Sequence, residues 1–231
     1  EEATAFANIG GPDRINFDIV GAGPFVLQPS SDFANISDAV VIDGYSQSGA
    51  SPNTLAVGSD ATILIEVDMS NVINGAGFAL VTAGNTVRGI AFSGYEDVAL
   101  FLGAGGNNTI AGNFIGFDST GGPGAIQPGS GLRIFSDNNI VGGSTPADRN
   151  VIGHHVFDGI NIQVSTGNTV LGNYIGTDPA GTQAAPNDFD GISINNAVTN
   201  TQIGGPNPGD GNLISGNLNY GISLVAATVS S

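Results

Sequence analysis

The chain has no cysteine, no tryptophan and no lysine, and its only basic residues are four arginines. Without cysteine there is no disulfide framework and no thiolate metal site. No apolar run approaches the roughly 20 residues that a membrane-spanning helix needs, which argues against membrane insertion. Charged residues make up only 10% of the chain, yet 20 acids against four arginines give a formal net charge of −16. A surface of that sign repels phosphate backbones, anionic membranes and acidic polysaccharides, so nucleic acid is not an expected partner. The abundance of aspartate with no lysine suits a saline or calcium-rich exterior. Glu1-Glu2-Ala3-Thr4 lacks the basic-then-apolar order of a signal peptide, as a mature or trimmed end would.

Glycine, in contrast, is abundant, at 37 of 231 residues, and 40% of the chain is hydrophobic. That apolar content is too high for disorder by composition, and the glycines lack the three-residue period of collagen.

The glycines mark an internal repeat. Asn85-Thr86-Val87-Arg88-Gly89 returns as Asn108-Thr109-Ile110-Ala111-Gly112, Asn138-Asn139-Ile140-Val141-Gly142 and Asn168-Thr169-Val170-Leu171-Gly172. A looser copy is Asn200-Thr201-Gln202-Ile203-Gly204, and the spacings are 23, 30, 30 and 32 residues. Late in each unit stands a second motif: Gly131-Leu132-Arg133-Ile134, Gly159-Ile160-Asn161-Ile162, Gly191-Ile192-Ser193-Ile194 and Gly221-Ile222-Ser223-Leu224. Its apolar, variable, apolar order is that of a strand with one buried face. Val98-Ala99-Leu100 fills this place in the shortest unit. The units also alternate. Asn108–Asp118 matches Asn168–Asp178, and the intervening units match each other, so loops 117–130 and 177–190 correspond, as do 143–149 and 205–211.

Strands this short cannot bury an apolar face alone, but stacked turns build a continuous core. The expected fold is therefore all-β: a single-stranded parallel β-helix with three short strands per rung and about eight rungs. Asn85, Asn108, Asn138, Asn168 and Asn200 are placed to stack as a hydrogen-bonded ladder at one bend. Thr86, Thr109, Thr169 and Thr201 would form an outward column interrupted by Asn139. The expected organisation is one continuous solenoid. Residues 1–14 serve as an N-terminal cap, 15–84 as irregular first rungs with strands near 15–20, 25–27, 39–43, 61–67 and 77–82, and 85–231 as regular rungs. Val225–Ser231 would be a minimal cap unless another molecule, or more of a longer chain, covers the last strand.

Gly172-Asn173-Tyr174-Ile175-Gly176-Thr177-Asp178, Asn212-Leu213-Ile214-Ser215-Gly216-Asn217 and Val41-Ile42-Asp43-Gly44-Tyr45 carry a resemblance. Over most of its length the chain resembles the right-handed parallel β-helix repeat region of large secreted or surface bacterial proteins. The resemblance implies right-handedness and an extracellular or cell-surface location. It does not imply an activity. The leading expectation is a non-catalytic structural or adhesive module, a rigid stalk, spacer or filament subunit, associating end to end or with neighbouring domains.

Two alternatives define the candidate chemistry. A polysaccharide lyase or glycoside hydrolase on this fold needs a base beside carboxylate-held calcium, or paired carboxylates. Arg133 occupies an outward strand position, with Ala99, Asn161, Ser193 and Ser223 expected in its column and no acid among them. Gly153-His154-His155 resembles part of the polygalacturonase pattern, but the arginine segment precedes it and lacks lysine. His154 and His155 align with Gly216-Asn217, in a bend, where surface positions are the usual outcome. The second alternative is a calcium-stabilised binding module. Asp178, Asp188 and Asp190 surround one loop, and Asp118 is the counterpart of Asp178. An Asx turn capping the strand end explains both Asp118 and Asp178 and is the favoured reading. No other cofactor is expected. A glycan is a candidate partner, weighed against the missing tryptophan and only four tyrosines for ring stacking.

Overall fold

The computed structural model describes residues 12–73, 75–125 and 129–225. The chain winds through seven turns. The first contributes β1 (Asp13–Asn16) and β2 (Phe25–Leu27), and Ile36 closes it by bridging to Leu80. The second holds β3 (Val40–Asp43), β4 (Ile65–Asp68) and β5 (Phe78–Leu80), and the third β6 (Thr86–Arg88), β7 (Ile90–Ser93) and β8 (Val98–Leu102). Next come β9 (Thr109–Ala111), β10 (Phe114–Ile115) and β11 (Ser130–Ile134), then β12 (Ile140–Gly142), β13 (Val151–Ile152) and β14 (Ile160–Gln163). The last two turns carry β15 (Thr169–Leu171), β16 (Tyr174–Ile175) and β17 (Ile192–Asn195), then β18 (Gln202–Ile203), β19 (Leu213–Ile214) and β20 (Ile222–Val225). Corresponding strands stack into three parallel sheets of seven, seven and six strands. This is a parallel β-helix with three strands per rung.

The core follows from the repeat. Ile42, Val87, Ile110, Val141, Val170 and Ile203 are in register down the first sheet. Phe92, Ile115, Ile152, Ile175 and Ile214 are in register down the second. Leu100, Leu132, Ile160, Ile192 and Ile222 are in register down the third. Branched side chains suit a pleated, buried surface, and each fully buried one contributes about 1.5–3 kcal/mol. The glycines directly ahead of β14 and β17 are there for space. A Cβ on Gly159 would meet Asn187 Nδ2 at 2.9 Å and Ile175 Cγ2 at 3.0 Å, and one on Gly191 would meet Asn217 Nδ2 at 2.7 Å and Ile214 Cγ2 at 2.8 Å.

Two features depart from expectation. Residues 12–84 supply only two turns, so the described total is seven rather than about eight. Residues 44–64 are the reason: they leave the stack and run along the outside of the second sheet. That sheet is apolar on its outer face too, where Ala91, Phe114, Val151, Tyr174 and Leu213 are in register. Tyr45, Ala61 and Ile63 from the strap, with Phe117 and Ala185 from two loops, cover this column as a second apolar cluster. Ala61 and Ile63, expected in a strand, therefore belong to the strap, and the strand begins at Ile65. In the expected cap, Asp13 and Arg14 form strand β1 instead; residues 1–11 lie outside the described residues, as does all of 226–231 from the expected C-terminal cap.

Candidate functional site

Buried polar groups have to be hydrogen-bonded, and here they form three axial ladders. In the first, each asparagine Oδ1 accepts both the backbone N–H and the side-chain N–H of the asparagine one turn earlier. Asn108 receives Asn85 at 3.0 and 2.8 Å, Asn139 receives Asn108 at 3.1 and 2.8 Å, and Asn168 receives Asn139 at 2.8 and 2.9 Å. Asn138 and Asn200 are not part of it. Both are exposed, with φ near +54°, and they occupy the left-handed bend that precedes the ladder position. Thr201 stands in the ladder place of the last turn, and its buried hydroxyl has no hydrogen-bond partner. The same one-residue offset removes Thr201 from the expected threonine column, where Thr109, Ile140, Thr169 and Gln202 are in register.

A second ladder runs through Asn113, Asn150, Asn173 and Asn212, with side-chain contacts of 3.1, 2.9 and 3.0 Å. The sequence carried a signal for it, an asparagine directly before each two-residue apolar strand of the second sheet. A third ladder begins at His155. Its Nδ1 donates to Asn187 Oδ1 at 2.6 Å, and Asn187 Nδ2 donates to Asn217 Oδ1 at 2.7 Å.

His155 is thus a ladder residue, only 1% exposed, rather than a surface bend residue. Because Nδ1 carries the proton given to Asn187, Nε2 is the acceptor of the buried Tyr95 hydroxyl. Burial pushes the imidazole down to about 4 and the Tyr95 phenol well above its usual range. Both ring nitrogens are occupied, and no substrate reaches them. His154 is half-buried at φ +66°, edge-on to Phe117 at 4.8 Å, and burial lowers its pKa. The two rings therefore do not converge.

Arg133 lies on the outer face of the third sheet. Its column neighbours are Phe101, Asn161 and Ser193, so Ala99 is displaced from the place expected for it. An acid does reach it from the side: Arg133 pairs with Asp97 at 3.0 Å. Along the adjoining corner, carboxylates support the next turn. Asp158 Oδ1 accepts the Asp190 N–H at 3.2 Å, and Asp190 Oδ1 accepts the Tyr220 N–H at 3.1 Å. Asp158 Oδ2 also accepts Asn161 Nδ2 at 2.7 Å. Burial, reinforced by Asp190, holds the Asp158 carboxyl above its usual range even though Arg133 and hydrogen bonds pull it down. Beside these acids the rings of Phe157 and Phe189 stack between turns, 5.7 Å apart.

The expected calcium ligands do not assemble. Among the described residues no group of three His, Asp or Glu side chains is placed to hold a metal ion. Asp118 Oδ1 accepts Thr120 and Gly122 N–H at 2.8 and 3.0 Å, and Asp178 Oδ1 accepts Thr182 and Gln183 N–H at 2.8 and 3.0 Å. Each closes its own loop as an Asx turn. Asp190 is committed to the next turn, and Asp188 is exposed at the corner.

The other arginines are also engaged. Arg88 grips Asp43 with two bonds of 2.9 and 2.7 Å, and Arg14 approaches the same carboxylate at 3.5 Å. Arg149 lies 4.4 Å over the Tyr174 ring. It donates to the carbonyls of Leu55, Ala56, Gly58 and Gly172 and so fastens the strap. Glu66 is buried and ties loop to core: Oε1 accepts the Ser93 hydroxyl at 3.0 Å, while Oε2 accepts Ser119 N–H and hydroxyl at 3.0 and 2.9 Å.

No family model, curated protein or solved structure matches the chain.

Proposed function

We propose that this chain is a non-catalytic, rigid β-helix module of an extracellular or surface protein, a stalk or spacer that holds its loops and neighbouring segments at fixed separations. The observation that carries the reading is the set of three axial amide ladders. From the third turn to the seventh they bond each turn to the next through side chains as well as backbone, which suits a part that resists bending and pulling. The fate of the chemically capable groups supports it: His155 is sealed, Asp118 and Asp178 hold turns, Asp190 supports the next turn, and three arginines pair with carboxylates while the fourth fastens a loop.

End-to-end association belongs to the same proposal. Leu224 in the last described turn is 75% exposed and Ile222 45%, whereas Ile192 one turn earlier is 0% exposed. A further turn stacked here, from a second copy or from more of the same chain, would bury these apolar side chains.

Incubation with acidic and neutral polysaccharides, following new reducing ends and unsaturated-product absorbance, tests the non-catalytic reading. No turnover is the expected result. Turnover that disappears in Asp178→Ala or His154→Ala overturns it. Light scattering over a concentration series tests self-association, and a strictly monomeric species at the highest concentration, with and without calcium, removes that part.

A further inference from the structure

Three exposed aromatic side chains of the later turns lie at one corner, where the chain enters the third sheet. Phe157 is 47% exposed, Phe189 50% and Tyr220 62%. Phe157 and Phe189 occupy the same position in successive turns, three residues ahead of Ile160 and Ile192, which are in register. Their rings, 5.7 Å apart and inclined by 40°, make an aromatic bank that climbs the solenoid axis. An uncovered patch of this kind on a soluble surface marks a contact site.

Next to the bank, over the last three turns, the outer face of the third sheet is built largely from amides and hydroxyls, with Arg133 and Phe101 in the earlier turns of the column and Val225 after Asn195. Asn161, Ser193 and Ser223 are in register, and so are Gln163 and Asn195. Neighbouring groups orient one another: Gln163 Nε2 donates to Asn161 Oδ1 at 2.6 Å, and Asn195 Nδ2 donates to Ser193 Oγ at 2.8 Å. Asn161 Nδ2 in turn reaches Asp158, the residue after Phe157, so that bank and floor adjoin. An amide has both donors and acceptors, and so does a sugar hydroxyl. The floor repeats every turn, at the roughly 4.8 Å spacing of hydrogen-bonded strands, a step comparable to that of one residue in an extended pyranose chain.

We propose that this face binds an uncharged polysaccharide laid along the solenoid axis, with pyranose faces stacked on Phe157 and Phe189 and hydroxyls bonded to Asn161, Gln163 and Asn195. Charge selects the class. Asp158, Asp188 and Asp190 lie at the bank, the chain carries a net −16, and a uronic-acid or sulfated chain would be repelled. The hydrogen-bonding floor favours a hydroxylated ligand over an apolar protein surface. The proposal gives the rigid module of the preceding subsection a ligand and rests on that reading for its non-catalytic character, though not for the binding itself.

Affinity electrophoresis in gels containing a soluble β-glucan or a galactomannan, with polygalacturonate as the charged control, tests it on the full chain. The wild type is expected to be retarded by at least one neutral polymer and not by polygalacturonate. Phe157→Ala and Phe189→Ala should each weaken retention by roughly tenfold, the scale of one lost stacking contact, and Gln163→Ala by less. All three residues are on the surface, so unchanged melting temperatures keep the comparison clear of misfolding. Absence of retardation by both neutral polymers, retardation by polygalacturonate, or retention indifferent to the two ring variants overturns the proposal. So does a dimer in sedimentation that Phe157→Ala dissolves while no glycan binds, since the occupant is then a second copy. Retention accompanied by new reducing ends leaves the binding face standing and overturns only the non-catalytic reading.

Discussion

Asn138 and Asn139 are adjacent, chemically identical and unequal. Asn139 Oδ1 holds both N–H groups of Asn108, and its own donors reach Asn168 and Ser136. Asn139→Ala leaves those donors buried without an acceptor, at a cost of about 2–3 kcal/mol. Asn138 is exposed at φ +55°, so Asn138→Gly should stay within about 0.5 kcal/mol. Thermal melts of the two variants test the register, and equal losses would contradict it. His155 gives a pH signature. Its folded pKa of about 4 is below the unfolded value of 6.5, so the unfolded chain takes up the proton first. The stability it contributes is complete above pH 6.5 and is lost as pH falls toward 4, at most roughly 3 kcal/mol. Asp158 acts in the opposite sense, because its raised pKa makes protonation favour the folded chain. Urea titrations of wild type and His155→Asn across pH 4–7 isolate the histidine. The difference between them should shrink on acidification, and a constant difference would count against a buried neutral imidazole.

Among the elements, the strap 44–64 differs from the rungs because long-range contacts alone keep it on the body. Tyr45 Oη donates to Gly112 O at 2.6 Å, Asn53 Nδ2 to Pro146 O at 3.0 Å, and Gly58 N–H to Tyr174 Oη at 2.8 Å. Arg149 gathers three of its carbonyls at one point. A segment docked outside the strand ladders is expected to open locally before the rungs do. Arg149→Gln removes the fork and the charge over Tyr174 while keeping a donor. Limited proteolysis should then cut near residues 55–58 several-fold faster, with the β-sheet circular dichroism preserved. Loss of the whole fold at the same rate would show instead that the strap is part of the cooperative unit. Nothing local marks residues 44–64 as a strap. Ala61 and Ile63 read as part of a strand, and only the apolar outer column of the second sheet, assembled from five different turns, gives the segment a place to dock.

For the whole molecule, electrostatics and architecture act together. Three ion pairs are formed among the described residues, against a net charge of −16. Screening therefore relieves more repulsion than it weakens attraction. Raising sodium chloride from about 10 to 300 mM, which shortens the Debye length from roughly 30 Å to under 10 Å, should raise the melting temperature by a few degrees, and a fall would mean that the ion pairs dominate. The three-sheet architecture was legible in the sequence because a solenoid repeats locally: the strands of each turn pair only with those of the adjacent turns, so the period of the Asn and Gly-Ile motifs is the period of the fold. One ladder was legible to within a residue. Where two asparagines adjoin, or Asn200 precedes Thr201, packing against the neighbouring turn decides which side chain points inward.

The repeat by itself therefore determined the all-β class, the three faces and the apolar lining of the core, since these follow from pattern and spacing along the chain. Tertiary structure alone decided the departures from the repeat: His155 in an asparagine's place beneath Tyr95, the strap across the second sheet, and Phe157 beside Phe189. Each joins residues 30 or more apart in sequence. Their meeting depends on how many loop residues each turn contains and on which side chains the stacked turns leave uncovered, and neither is a local property.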